Sequence, residues 1–280
     1  MSAKTRLPAF LDRLVALDRR IVFALVAVVL ALAVALPPRM PAGKASPEVS
    51  RVYQAVESLP ENSFVLICAD IDPANAPELY PQALAVARHA FRKNLRVAVM
   101  YFGASAAGTA QQLLEQVGRE YPARKYGTDY VLLPYMPDIP ATLTQMGNDI
   151  YALYGKDSRG ASLRSLPVMS GVSRLGDVNL AVVFCATTLL DSWVALASDR
   201  YGFRLAGGVT AVIEPRYGPY LQTGQLAGLI SGLRGGAEYE GLLGEPGAAA
   251  AGLDALNVTN LLALLLVLAA NAAVWLRRLL

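Results

Sequence analysis

The stretch "FVLICADIDPANAPELYPQALAVARHAFRKNLRVAVMYF", residues 64–102, decides the predicted fold. It opens on the apolar run Phe64–Asp70, which is short and continuously apolar, as a strand buried on both faces is. A helical pattern follows in residues 77–94, where apolar side chains recur every three or four positions. A second apolar run, Leu95–Phe102, completes the unit. A strand, a helix and a strand in this order predict two parallel strands joined by a right-handed crossover.

The same alternation continues toward the C-terminus. Further strands are predicted at Asp129–Met136, Asn179–Thr187 and Gly207–Pro215, with helices at residues 107–121, 140–155 and 189–202. An additional helix, residues 46–59 with Ser46 as its N-cap, is predicted before the first strand. We therefore expect an α/β domain, a three-layer Rossmann-like or flavodoxin-like sandwich with about five parallel strands covered on both faces.

Composition indicates membrane segments outside this domain. Apolar residues make up 54% of the chain and charged residues 17%, against about 45–50% and about 25% in typical soluble domains. The net charge of +3 is too small to indicate nucleic acid as a partner. The two cysteines and the single histidine form no metal-binding motif. We predict neither a metal nor a cofactor.

The first candidate membrane segment is the run Ile21–Leu36, which contains no polar residue. Basic residues precede it: Lys4, Arg6, Arg13, Arg19 and Arg20. By the positive-inside rule they keep the N-terminus in the cytoplasm. The long leader favours an uncleaved anchor, and a cleaved signal peptide is the alternative.

The second candidate segment is Leu256–Leu276, which is long enough to span a bilayer. Trp275 suits the membrane interface, and Arg277 and Arg278 suit the cytoplasmic side. Both ends together predict a two-pass protein of the cell membrane, with both termini cytoplasmic and the central domain extracytoplasmic.

These segments divide the chain into predicted regions. They are a cytoplasmic basic leader (1–20), a transmembrane helix (21–37), a linker (38–47), an extracytoplasmic α/β domain (48–245), a second transmembrane helix (256–276) and a cytoplasmic tail (277–280).

Candidate ligand-binding residues follow the ends of the predicted strands, where ligands bind in open α/β sheets. They are Asp70, Asp72, Gly103, Ser105, Tyr135 and Glu214. The pair Asp70 and Asp72 could hold a divalent cation, or Asp72 could cap a turn while Asp70 ends its strand. The segment "GASAAG", residues 103–108, lacks the spacing of a dinucleotide-binding loop and the lysine of a P-loop.

Several other residues have a structural interpretation beside a functional one. We expect His89 to be a partly exposed surface or packing residue, since no nucleophile motif accompanies it. Cys68 and Cys185 are predicted on buried strands as inert thiols, and a disulfide is conceivable if those strands are neighbours. The long loop Tyr154–Gly171 carries Arg159 and other cations, and a solvated connection is the expected role.

Glycine recurs every four residues in "TGQLAGLISGLRGGAEYE", residues 223–240. If this segment is a helix, Gly224, Gly228, Gly232 and Gly236 form one bare stripe that admits another backbone. The stripe then contacts a membrane span, a second copy or another subunit, or it packs on the domain's own sheet. Tyr217 and Tyr220, just before it, suit the same interface.

The phrases "YGTDYVLLPYMP", "LAGGVTAVIEP" and "GPYLQTGQLAGLISGLRGGAEYE" carry a resemblance. They resemble an uncharacterised family of prokaryotic membrane-anchored proteins, over most of the central domain. The architecture is also similar to extracytoplasmic Rossmann-like parts of auxiliary subunits of gliding-motility-type ABC transporters. That second likeness concerns fold and topology, so neither resemblance implies catalytic residues.

The sequence therefore favours a non-enzymatic membrane-anchored subunit. Its extracytoplasmic domain would bind a partner protein or ligand within a membrane complex. The expected partners are the membrane and other membrane-protein subunits or a second copy, and not nucleic acid. The alternative is a membrane-anchored metal-dependent hydrolase or transferase that uses Asp70 and Asp72.

Overall fold

The computed structural model of this protein describes residues 18–38 and 43–279. It divides into two units. Ala42–Ala250 forms one unit, and the other contains the apolar helix near the N-terminus together with the chain from Ala251 onward. Most of the predicted basic leader, including Lys4, Arg6 and Arg13, lies outside the described residues.

The first unit is built on a parallel sheet. The strands are β1 (Phe64–Asp70), β2 (Arg96–Met100), β3 (Tyr130–Leu132), β4 (Leu180–Cys185), β5 (Arg204–Val209) and β6 (Leu229–Ser231). In the described residues they form a six-stranded sheet in the order β3-β2-β1-β4-β5-β6, and every neighbouring pair is parallel. The predicted α/β class is confirmed, with one more strand than expected and the strand order of a Rossmann fold.

Helices connect and cover these strands. They are α1 (Arg19–Ala35), α2 (Pro47–Glu57), α3 (Ala76–Arg92), α4 (Ala107–Glu120), α5 (Ile139–Asn148), α6 (Ile150–Leu153), α7 (Leu189–Trp193), α8 (Asp199–Tyr201), α9 (Gly218–Gln222), α10 (Gly232–Leu243) and α11 (Ala248–Leu279). A π-helical turn, Val194–Ser198, joins α7 to α8. Short 3-10 helices lie at Ala104–Ala106, Leu163–Ser165, Pro167–Met169, Leu175–Asp177 and Glu214–Tyr217.

The continuously apolar strands are explained by two hydrophobic cores, one on each face of the sheet. In β1, Val65 and Ile67 contribute to the core that includes α3 and α4. The alternate residues Leu66 and Cys68 contribute to the opposite core, which includes α5 and α7. Successive side chains of a strand point to opposite faces, so both sets must be apolar.

The predicted helix with a glycine stripe is wrong. The segment divides into a turn, strand β6 and helix α10. Gly224 and Gly232 have φ angles of +78° and +57°, which L side chains rarely adopt. At Gly228 a Cβ atom would lie 2.6 Å from Glu48 O on helix α2. The glycines therefore meet separate backbone requirements inside the domain, and their regular spacing does not mark one exposed helix face.

The predicted pair of membrane spans is not supported. Helix α1 has 17 residues, which at about 1.5 Å per residue falls short of a hydrocarbon core about 30 Å thick. Among the described residues, one helix is long and apolar enough to cross a membrane: the 30 residues Ala248–Arg277, within which an 18-residue stretch has a mean hydropathy of 2.0. The predicted span 256–276 lies within it.

Candidate functional site

The predicted ligand residues lie at or after the carboxyl ends of their strands, at one edge of the sheet. Asp70 ends β1 beside Cys185 at the end of β4. The strand order changes direction between these two strands, which is the switch point where Rossmann folds bind ligands. The side chains at this edge are therefore the first candidates for a binding site.

Asp70 holds two strand ends together. Its Oδ1 accepts hydrogen bonds from the backbone N–H groups of Phe102 (3.0 Å) and Gly103 (2.6 Å) in the loop that follows β2. A Cβ atom at Gly103 would approach Asp70 Oδ1 to 3.2 Å. The sequence thus placed Asp70 and Gly103 correctly at one edge, and the observed contact between them positions a loop.

Asp72 caps the turn that leads into helix α3. Its Oδ1 accepts a hydrogen bond from Ala74 N at 2.9 Å. That bond, and a second one with the side chain of Ser105, lower the pKa of the Asp72 carboxyl. Among the described residues, no group of three or more His, Cys, Asp or Glu side chains is arranged to hold a metal ion. The role of Asp70 and Asp72 as metal ligands stays a prediction.

The remaining candidates at this edge differ in exposure. Tyr135 is 41% exposed, and its ring stacks on that of Tyr101 with centroids 6.1 Å apart. Glu214 accepts a hydrogen bond of 2.7 Å from the hydroxyl of Ser231, at the end of β6. Tyr217 is fully buried and donates to Thr187 O at 3.3 Å. The expectation that Tyr217 forms part of an exposed interface is wrong, since its side chain is buried in the core that includes α5 and α7.

A pocket that the sequence did not predict lies beside the ends of β2 and β3, next to helix α4. Its volume is about 280 Å³. Its lining includes Tyr101, Tyr126, Tyr130, Leu114, Leu132 and Arg159. Because these side chains come from separate segments of the sequence, no local motif predicts that they form a pocket. The cations of the long loop Tyr154–Gly171 were the only signal, and that loop was expected to be a solvated connection.

Arg159 is held at this pocket by an ordered loop. The buried carboxylate of Asp157 accepts hydrogen bonds from Arg159 N (3.0 Å), Ala161 N (2.8 Å) and the hydroxyl of Tyr126 (2.9 Å). Ser158 N donates to Leu132 O on the neighbouring strand at 3.0 Å. The guanidinium carbon of Arg159 lies 3.5 Å from the centroid of the Tyr126 ring. Loop, ring and cation thus form one ordered unit.

His89 is part of a buried network elsewhere in the domain. It is completely buried, so the expected surface exposure is wrong and the alternative of a packing residue is confirmed. Its ring nitrogens lie 2.8 Å from the hydroxyl of Tyr239 and 2.8 Å from Glu57 Oε2, and the ring of Tyr53 stacks on it with centroids 4.6 Å apart. Burial lowers the pKa of His89, although the hydrogen bond with Glu57 opposes that shift. The network joins helices α2, α3 and α10.

Two glutamates of helix α10 accept backbone hydrogen bonds from the first and last segments of the α/β domain. Glu238 accepts a hydrogen bond from Ser46 N at 2.9 Å, where helix α2 begins. Glu240 is 2% exposed and accepts three, from Gly247 N, Ala249 N and Ala250 N, at 2.9–3.0 Å. These last donors belong to the first turn of α11 and the residue before it, and such amides have no partner within the helix. The segment before α11 is therefore fixed by side chains of the domain.

Comparisons of the chain with protein-family models, with curated proteins and with solved structures gave no match. The resemblances drawn from the sequence therefore stay predictions, and any functional argument depends on the geometry described above.

Proposed function

We propose that this protein is a membrane-anchored binding subunit, with helix α11 as its anchor and the α/β domain as its binding part. Arg277 and Arg278 follow the apolar stretch of α11, and this favours a cytoplasmic C-terminus. The α/β domain then lies on the opposite, extracytoplasmic side. The proposal requires one span and does not depend on a second span formed by α1.

The observation that carries this proposal is that the first turn of helix α11, residues 248–250, belongs to the α/β domain. Helix α11 begins at Ala248, and Glu240 accepts hydrogen bonds from the amides of its first turn. At Gly236 on α10, an added Cβ atom would lie 2.8 Å from Ala249 Cβ, so glycine permits the close approach of the two helices. A helix packed and capped in this way begins as part of the domain.

The carboxyl edge of the sheet supports binding as the activity of the domain. The side chains of Asp70, Asp72 and Glu214 each hydrogen-bond to a neighbouring loop or strand end. These contacts pre-form the edge, and a pre-formed edge lowers the entropy lost on binding. The pocket beside β2 and β3 gives that edge a place for a ligand.

Fractionation of cells that express the full chain tests the anchor. We expect the protein in the membrane after carbonate extraction, and we expect a variant that lacks residues 251–280 to be released. Protease added to intact spheroplasts should cleave the α/β domain. Release of the full chain by carbonate, or protection of the domain from protease, would contradict the proposal.

Purification in mild detergent tests the role as a subunit. We expect the full chain to be recovered with a partner membrane protein or a second copy. Recovery as a lone monomer would overturn this part. A rise in melting temperature with Mg²⁺ that is lost in Asp72→Asn would instead favour the metal-dependent enzyme.

A further inference from the structure

We propose that the pocket beside β2 and β3 binds a small planar ring that carries a carboxylate, with Arg159 as the residue that binds the anion. This inference rests on the proposed binding function and names the ligand class for one site of the domain. It concerns the pocket of about 280 Å³ next to helix α4.

The shape and lining of the pocket favour a planar ring. The rings of Tyr101, Tyr126 and Tyr130 line it together with the apolar side chains of Leu114 and Leu132. Its volume lies just below the range for drug-sized ligand sites, about 300–1,000 Å³, which suits a ligand of one ring. Aromatic rings prefer offset-stacked or edge-to-face neighbours, so a single ring meets complementary surfaces here.

The charge of Arg159 favours an anionic group on that ring. In the described part of the chain, no carboxylate lies within ion-pair distance of the Arg159 guanidinium. The guanidinium stacks instead on the face of the Tyr126 ring. A stacked guanidinium keeps its N–H donors free at its edge, where they match the two oxygens of a carboxylate. By contrast, Arg164 of the same loop stacks on Tyr151 and also pairs with Asp149 at 3.5 Å.

One acidic side chain also lines the pocket and determines how the ligand is oriented. Glu115, on helix α4, accepts a hydrogen bond of 2.8 Å from Gln111. Its negative charge disfavours an anion at the α4 side. The carboxylate is therefore assigned to the side of Arg159, and the ring to the space between the tyrosines.

Contacts behind the lining side chains pre-organise the site. The hydrogen bonds to Asp157 fix the loop of Arg159 before any ligand arrives. Burial raises the pKa of Tyr126, so its hydroxyl keeps the proton that it donates to Asp157. On helix α4, an added Cβ atom at Gly118 would collide with the hydroxyl of Tyr130, so glycine leaves room for that ring. A fixed site loses less conformational entropy on binding.

Ligand-observed NMR on the full chain in detergent tests the inference, with benzoate as the probe. We expect saturable binding of benzoate and much weaker binding of benzamide, which has the ring without the charge. Cyclohexanecarboxylate, which has the charge without a planar ring, and inorganic phosphate should also bind more weakly. If benzamide binds as tightly as benzoate, the proposed requirement for an anionic group is overturned. If cyclohexanecarboxylate or phosphate binds as tightly as benzoate, the proposed requirement for a planar ring is overturned.

Variants locate the binding. Arg159→Gln should weaken benzoate binding by about 10- to 100-fold, because it removes charge-assisted hydrogen bonds. Arg159→Lys should recover part of that loss, since it restores the charge without the planar fork. The matched control is Arg164→Gln, which removes a stacked arginine of the same loop outside the pocket and should leave affinity unchanged.

Equal benzoate affinity in the wild-type chain and Arg159→Gln would overturn the inference, as would equal losses in Arg159→Gln and Arg164→Gln. Absence of benzoate binding would also overturn it, while membrane anchoring and recovery of a partner would still support the proposed function. Failure of the proposed function would show instead in the fractionation and purification experiments.

Discussion

The substitution Glu240→Gln tests how the α/β domain holds the start of helix α11. Its carboxylate accepts three backbone hydrogen bonds at 2.9–3.0 Å, two of them to Oε2. Glutamine has nearly the same shape but only one acceptor oxygen. Its amide nitrogen would therefore face a backbone donor, and at least one hydrogen bond is lost.

The magnitude follows from these contacts. A hydrogen bond to a charged group contributes about 1.5–3 kcal/mol, and a neutral one about 0.5–1.5 kcal/mol. One bond is lost and the others become neutral, but glutamine avoids the cost of burying a charge. We expect the first turn of α11 to open more easily by about 2–3 kcal/mol, which is on the order of 30- to 150-fold in an opening constant.

Hydrogen exchange of the full chain in detergent measures this opening. The amides of Gly247, Ala249 and Ala250 should exchange faster in Glu240→Gln by that factor, because exchange reports local opening. The control is Glu245→Gln, since Glu245 is exposed and its ion pair with Arg92 is 3.6 Å long. A change in Glu240→Gln no larger than that in the control would refute the reasoning.

The remaining predictions concern the interior of the domain. Gly228→Ala should destabilise the domain by about 1–3 kcal/mol, because the added methyl group would overlap with backbone atoms of α2. Gly108→Ala places its methyl group in open space beside α4 and should stabilise the domain by up to about 1 kcal/mol. Circular-dichroism melting compares the two variants, and equal effects on stability would contradict the packing argument. Because burial lowers the pKa of His89 from its model-compound value of 6.5, the unfolded chain binds a proton first, so stability should fall as the pH drops below about 6.5. Melting temperatures between pH 8 and pH 5 should show this decline. If a His89→Gln variant shows the same decline, His89 is not its cause. Burial raises the pKa of Cys185 to about 12 and that of Cys68 well above its usual value. Neither thiol should therefore react with iodoacetamide at pH 8 until denaturant is added. Rapid labelling of the native protein would contradict this prediction, because it would show that the thiols are accessible.

Local patterns in the sequence were sufficient for the α/β class. Each long strand is a continuously apolar run, because its residues alternate between two cores, and the helices between them have their own period. Strand β6, which contains only Leu229–Ser231, was missed, although β3 is equally short and was predicted within the longer apolar run Asp129–Met136. The glycine spacing then suggested a helix across the same segment. A short strand is detected where a longer apolar run contains it, and it is missed where another pattern covers the segment.

The arrangement of the candidate site at the carboxyl edge of the sheet depends on contacts that no local pattern contains. Sequence reasoning selected Asp70 and Gly103 from their positions after strands, and the register of β1 and β2 brought them together. Arg159 and Tyr126 are far apart in the chain and meet because Asp157 bonds to both segments. His89, Tyr239 and Glu57 likewise come from three helices.

The sequence by itself determined the parallel α/β class, the apolar character of the C-terminal helix and which residues follow the strand ends, because these follow from hydrophobic period and from the geometry of parallel sheets. Only the tertiary structure decided the role of Glu240, the burial of His89 and the pocket at Arg159. Those depend on which distant segments pack together, and that arrangement minimises the free energy of the whole domain.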